Sequence, residues 1–212
     1  MIRLAVFDVD DTLTREVSIW EQLYYEIGKW DTHGKIYLDQ YFNGEISWDE
    51  FACLDAREYA GHHQDIIVHA AQKLSYINGI EETFRTLRGR GVEIAFVSST
   101  LYQFAAWLAE RFKVRHCYAN PLGTDEKGIL NGKIDLKVKA HSKDMVMRRL
   151  KKKLGLDTRQ VAAVGDSLLD FSMFKEAGTS ICVAHAPDQV KQKVDHVLPS
   201  DDLTTLCAII TG

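Results

Sequence analysis

Several common signatures are missing from this chain of 212 residues. Its four cysteines, Cys53, Cys117, Cys182 and Cys207, form no CxxC pair and lie far apart, which excludes a zinc ribbon and gives no disulfide frame; reduced core thiols are the expectation. Charge of one sign is scarce: the formal net charge is -4, so electrostatics offer no reason to expect nucleic acid or an anionic membrane surface as a partner. No apolar run is long enough to span a bilayer, and Met1 leads straight towards a strand with no signal-peptide pattern, so a cytoplasmic protein is expected. Internal repeats and low-complexity tracts are also absent. The run Lys151-Lys152-Lys153 is short and sits at an expected helix end, where cations favour the dipole, and it reads as a solvated face.

With 46% hydrophobic and 26% charged residues, the chain has the composition of a globular protein. Ile2, Leu4, Ala5, Val6 and Phe7 read as a buried parallel strand. Its end carries Asp8, Asp10 and Asp11. In extended chain Asp8 and Asp10 point the same way and Asp11 faces elsewhere. Like charges so close resist ionisation unless a cation sits among them, and an all-oxygen site suits magnesium.

Residues 15–78 hold 11 of the 21 aromatic residues and show no strand pattern. Helices are expected over Val17 to Trp30, from the capping box Ser47-Trp48-Asp49-Glu50 towards Ala60, and over Gln64 to Leu74 after a stop at Gly61. From Gly79 strands and helices alternate, which implies a parallel sheet. Expected strands are Val92 to Val97, His116 to Ala119, Val161 to Val164 and Ser180 to Val183, with one more short strand and a helix in the tail. Turn signals at Asp125 to Gly128 and at Asn131-Gly132 predict a hairpin between the second and third of these strands. Ser142 is expected to cap a helix running to Leu154, and another helix is expected from Leu169 to Ala177. The fold class is α/β, a Rossmann-like doubly wound sheet over residues 1–14 and 79–212 with a helical cap over residues 15–78.

Ligands of such sheets bind outside the carboxyl ends of the strands. Asp8 and Asp10, Ser98 and Ser99, and Asp166 with Asp170 all arrive at that edge. Lys143 opposes the dipole of its own helix, so something other than helix stability should favour it there. Asp170 falls a turn inside its expected helix, where capping is not expected of it. Together these groups suit phosphoryl transfer. Asp8 would attack phosphorus, Asp10 would exchange protons with the leaving alcohol and with water, and Lys143 and Ser98 would hold phosphoryl oxygens. Asp8, Asp166 and the carbonyl of Asp10, with Asp170 beside them, would hold Mg2+.

At these positions the chain resembles the haloacid dehalogenase-like superfamily, and within it the phosphoserine phosphatases. Asp8-Val9-Asp10-Asp11-Thr12 is similar to the DxDxT motif, Ser98 to the second motif, Lys143 to the third, and Val164-Gly165-Asp166-Ser167-Leu168-Leu169-Asp170 to the fourth. The resemblance implies a magnesium-dependent phosphatase of a small phosphorylated metabolite, with Thr12, Ser98 and Ser99 near the substrate. It places the substrate-reading glutamate and arginine of the cap near Glu16 and Arg57, both out of register. Ser99 and Thr100 stand where the relatives carry Gly-Gly, and Leu169 where they carry Asn, so phosphoserine itself is not implied. Transfer to an acceptor alcohol, and a phospho-accepting receiver domain, are the rival readings; the inserted cap argues against the receiver.

Overall fold

The computed structural model describes residues 1–211. β1 (Leu4–Phe7) is four fully buried residues, and the turn after it leads to β2 (Thr14–Arg15). Four helices follow: α1 (Ile19–Glu26), α2 (Lys35–Phe42), α3 (Trp48–Glu58) and α4 (Asp65–Lys73). β3 (Ser75–Tyr76) then returns antiparallel beside β2. Alternation begins with α5 (Ile80–Gly89), β4 (Glu93–Leu101), α6 (Tyr102–Arg111) and β5 (His116–Asn120). A hairpin of β6 (Leu122–Thr124) and β7 (Leu130–Ile134) interrupts it. The rest is α7 (Lys143–Leu154), β8 (Val161–Gly165), α8 (Phe171–Phe174), β9 (Thr179–Cys182), α9 (Asp188–Lys191), β10 (His196–Val197) and α10 (Leu206–Thr211).

Six strands form one parallel sheet in the order β10-β9-β8-β1-β4-β5. β1 lies between β8 and β4, so both of its edges are satisfied by hydrogen bonds and both faces are covered. That explains its continuous apolar run in place of alternation. Helices flank this sheet, and the four helices between β2 and β3, α1 to α4, form the cap that walls a cavity at the carboxyl end of β1. The antiparallel pair β2–β3 makes the neck between cap and sheet, and the Ile77 N–H donates to the Leu13 carbonyl beside it.

Several expectations are corrected in detail. α1 is shorter than Val17 to Trp30: Ser18 accepts from the Glu21 N–H at its start, and Gly28, with φ of 68°, turns the chain after its end. The stretch 15–78 does contain strand residues at its two ends, too few to alternate. Asn131-Gly132 lies within β7; the hairpin turn is Asp125 to Gly128, where the Asp125 carboxylate accepts from the N–H groups of Lys127 and Ile129. The helix expected from Leu169 is a 3-10 turn, Leu168–Asp170, followed by the short α8. Ser142 sits at the start of α7 without capping it; the first N–H, that of Lys143, goes instead to Ser172 Oγ. Lys151 is no solvated residue: it is buried, and its ammonium donates to the Glu176 carboxylate, the Glu176 carbonyl and Thr158. All four cysteines are free, but only Cys182 is buried.

Candidate active site

The site is built where β1, β4 and β8 end. Asp8 follows β1 directly, and its N–H donates to the Val164 carbonyl on β8. Ser98, on β4, is buried, and its hydroxyl accepts from the Thr100 N–H. Gly165 closes β8 with no room for a side chain, because an added Cβ would lie 2.5 Å from the Asp170 carboxylate. Asp170 Oδ2 accepts from the N–H groups of Asp166 and Ser167, so it does cap its own turn, contrary to expectation. Its helical position is replaced by a tight turn that folds the side chain back onto the strand end.

Lys143 is fully buried between two carboxylates. Its ammonium stands 2.7 Å from Asp170 Oδ1 and 2.8 Å from Asp8 Oδ1. Burial works to lower its pKa, but Asp170 and Asp8 prevail and hold it above the ordinary lysine value. This pairing answers why a cation opens α7 against the dipole. The Asp8 oxygen that faces the ammonium is buried and accepts no hydrogen bond, so the ion pair is its one polar contact.

One oxygen from each of Asp8, Asp166 and Asp170 falls within 4.8 Å of the others. Three carboxylates against one ammonium leave two formal negative charges when all are ionised. The electrostatics show the strain. Burial, with Asp170 adding to it, pushes Asp8 up to about 6 despite the attraction of Lys143. Burial, then Asp170 and Asp8, hold Asp166 well above its ordinary value. A hard divalent cation fits this set of oxygen donors and their charge deficit.

Asp10 is arranged differently. Its Oδ1 accepts from the Ile19 N–H at the start of α1. Burial outweighs that contact and raises its pKa to about 7. That is the range in which a group can both give and take a proton near neutrality. Asp11, at φ 56°, also lines the site instead of facing elsewhere.

A cavity of about 540 Å³ opens above these residues, walled by the cap. Asp8, Asp10, Ser98, Ser99 and Asp166 line it from the sheet side. Trp20, Tyr24, Trp30, Trp48 and Phe51 line it from the cap, so part of the aromatic enrichment serves this cavity. An ion pair between Lys139 and Asp49 ties the start of α3 to the loop before α7. Thr12 is fully buried, away from the lining, and donates to Asp166 Oδ1 at 2.7 Å; it positions the acid and does not face a substrate. Glu16 and Arg57 are exposed and outside the lining, so the structure does not bring them to the site. Sequence reasoning missed Asp55, a buried acid on the cavity wall. The spacing Ala52, Asp55, Ala56, Tyr59, one acid on an otherwise apolar helical stripe, was the signal for it.

The model of the haloacid dehalogenase-like hydrolase family matches residues 2–178. A phosphoserine phosphatase of Archaeoglobus fulgidus is 28% identical over 209 residues, 98% of this chain and 60% of that protein. One from Methanocaldococcus jannaschii is 26% identical over 213 residues, covering 98% of this chain and 97% of that one. This chain therefore spans well under two thirds of the first relative and nearly all of the second. Among solved structures, a haloacid dehalogenase family hydrolase from Salmonella enterica serovar Typhi superposes with a TM-score of 0.90 at 20% identity, over 98% of this chain and 70% of that one. A substrate-bound phosphoserine phosphatase gives 0.85 at 24% identity, over 100% and 99%. Sheet order, strand-end acids and buried lysine agree with the family match, and the chain belongs to the haloacid dehalogenase-like hydrolases.

Proposed function

We propose that the chain is a magnesium-dependent phosphatase of a small phosphomonoester, working through an aspartyl phosphate, with residues 15–78 as the cap that encloses the substrate. The observation that carries this reading is the ammonium of Lys143, fully buried and shared between Asp8 and Asp170, beside the three clustered carboxylates. A structural salt bridge has no need of a third acid left short of charge. Lys143 holds Asp8 ionised and directed at the cavity, as a nucleophile requires. Asp8 attacks phosphorus; the new P–O bond to Asp8 forms as the bond to the substrate alcohol breaks, and the alkoxide takes the proton held by Asp10. Asp10 then removes a proton from water, whose oxygen bonds to phosphorus while the bond to Asp8 breaks, freeing phosphate and restoring the carboxylate. Ser98 lies beside Asp8 on the cavity wall, where its hydroxyl can donate to a phosphoryl oxygen. The cap wall restricts water around the reacting atoms. Asp8 and Asp166, with Asp170 behind them and the Asp10 carbonyl nearby, would hold magnesium, which when bound supplies positive charge against the repulsion between nucleophile and phosphate.

The test is steady-state release of phosphate from p-nitrophenyl phosphate with and without magnesium. Many turnovers per chain are expected, ended by a chelator. Asp8→Asn, which removes the nucleophile but little volume, is expected to lower kcat by about 10³-fold or more while the circular-dichroism spectrum stays unchanged. Retention of a tenth of the wild-type rate would move the nucleophile elsewhere. Excess acceptor alcohol is expected to leave the yield of free phosphate intact; a new phosphoester would make the chain a phosphotransferase.

A further inference from the structure

The cap side of the cavity contains an acid that the phosphoryl chemistry does not use. Asp55 is fully buried on α3 and lines the cavity. One of its carboxylate oxygens accepts from the Tyr24 hydroxyl at 2.7 Å; the other is buried without any hydrogen-bond partner. An unmet buried acceptor is uncommon and opposes folding, so a native protein that retains one invites a reason. Burial, with Glu58 adding to it, raises the Asp55 pKa to about 8, as expected of a carboxylate with no cation beside it. The surrounding wall is aromatic, with Trp20, Tyr24, Trp30 and Phe51, and Glu21 adds a second acid. Among the described residues that line the cavity there is no lysine or arginine, and His141 is the one basic side chain.

These features sort substrates by the charge at the end remote from phosphorus. A carboxylate there would meet an acid and no cation. An alkylammonium would meet the open oxygen of Asp55 and the negative faces of aromatic rings, and both attract it. Asp8 and Asp55 border the same cavity, Asp55 just behind its surface, so a single small molecule can reach from the phosphoryl site to the wall over Asp55. Resting on the phosphatase reading above, we infer that the substrate is the phosphate monoester of an amino alcohol, its ammonium held between Asp55 and the aromatic wall of the cap. Phosphoserine carries an ammonium and a carboxylate; the wall offers a partner to the first and none to the second.

The experiment compares kcat/KM, in magnesium, for 2-aminoethyl phosphate and its N-trimethyl form against their uncharged isosteres, propyl phosphate and 3,3-dimethylbutyl phosphate. p-Nitrophenyl phosphate and phosphoserine are measured alongside. At least one ammonium ester is expected to exceed its isostere by about tenfold or more, and 2-aminoethyl phosphate is expected to exceed phosphoserine. Asp55→Asn keeps the shape and the acceptor for Tyr24 and is expected to bring the ammonium-to-isostere ratio close to one. Hydrolysis of p-nitrophenyl phosphate with no preference for either ammonium ester overturns the inference and leaves the phosphatase reading standing. Failure to hydrolyse any ester overturns both. The wild-type ratios decide the matter even if Asp55→Asn does not fold.

Discussion

Asp8 and Asp10 are two residues apart yet have separate electrostatic settings. Asp8 faces Lys143 and two further acids, whereas Asp10 is held by the main-chain N–H of Ile19. The division of labour predicts that Asp10→Asn still forms the aspartyl phosphate but releases it slowly. Acid quench of the variant with labelled substrate should trap a phosphoenzyme at a level well above wild type; none at all would argue against the division. Asp55 supplies a second residue-scale prediction. Its proton is held more tightly in the folded chain, with a pKa of about 8, than in the unfolded chain near 3.8. The stability it contributes is complete below the unfolded value and is lost as pH rises through the folded one. Urea unfolding should therefore show wild type losing stability between about pH 4 and about pH 8 more steeply than Asp55→Asn. Asp8, Asp10, Asp166 and Lys143 were legible in the sequence because their types and spacing carry chemistry at a strand end. Asp55 was not singled out: its neighbours in space, Tyr24 and the cavity, lie far along the chain, and only packing joins them.

At the scale of the element, local chemistry explains what was readable. Ser47 Oγ accepts from the Glu50 N–H, and the Glu50 carboxylate accepts from the Ser47 N–H, the reciprocal pairing that the four-residue pattern announces. Ser47→Ala should destabilise the protein by about 1 kcal/mol with kcat unchanged, measured by urea titration and by turnover. The unreadable elements were those whose conformation is imposed from outside. β2 and β3 have two residues each and exist because they pair with one another across the cap insertion. The 3-10 turn after β8 replaces a helix because Asp170 must reach back to the N–H groups of Asp166 and Ser167 and forward to Lys143. Lys151 looked like part of a charged surface run; the carboxylate and carbonyl of Glu176 that claim it lie in the turn after α8.

For the whole molecule, alternation of strand and helix announced the parallel sheet, while strand order and the placement of the cap wall over the sheet edge came only with the fold. Here the acidic cluster makes a prediction of its own. The magnesium site proposed at Asp8, Asp166 and Asp170 exists only in the folded chain, so magnesium should raise the melting temperature. At about a hundredfold excess over Kd the expected rise is about 5–10 °C by calorimetry, and Asp166→Asn should remove it. No helix among the described residues is long and apolar enough to cross a membrane.

The central place of β1 has a consequence for the chain as it is made. Leu4 pairs with Glu93 on one side and with Val161 on the other, so β1 must wait for partners synthesised well after it. A nascent chain that stops short of β8 lacks Asp166 and Asp170, and its Lys143 has lost one of two counter-charges. On the proposed reading, hydrolysis is thereby withheld from products that stop short of β8: Asp8 is translated before the partners that make it competent.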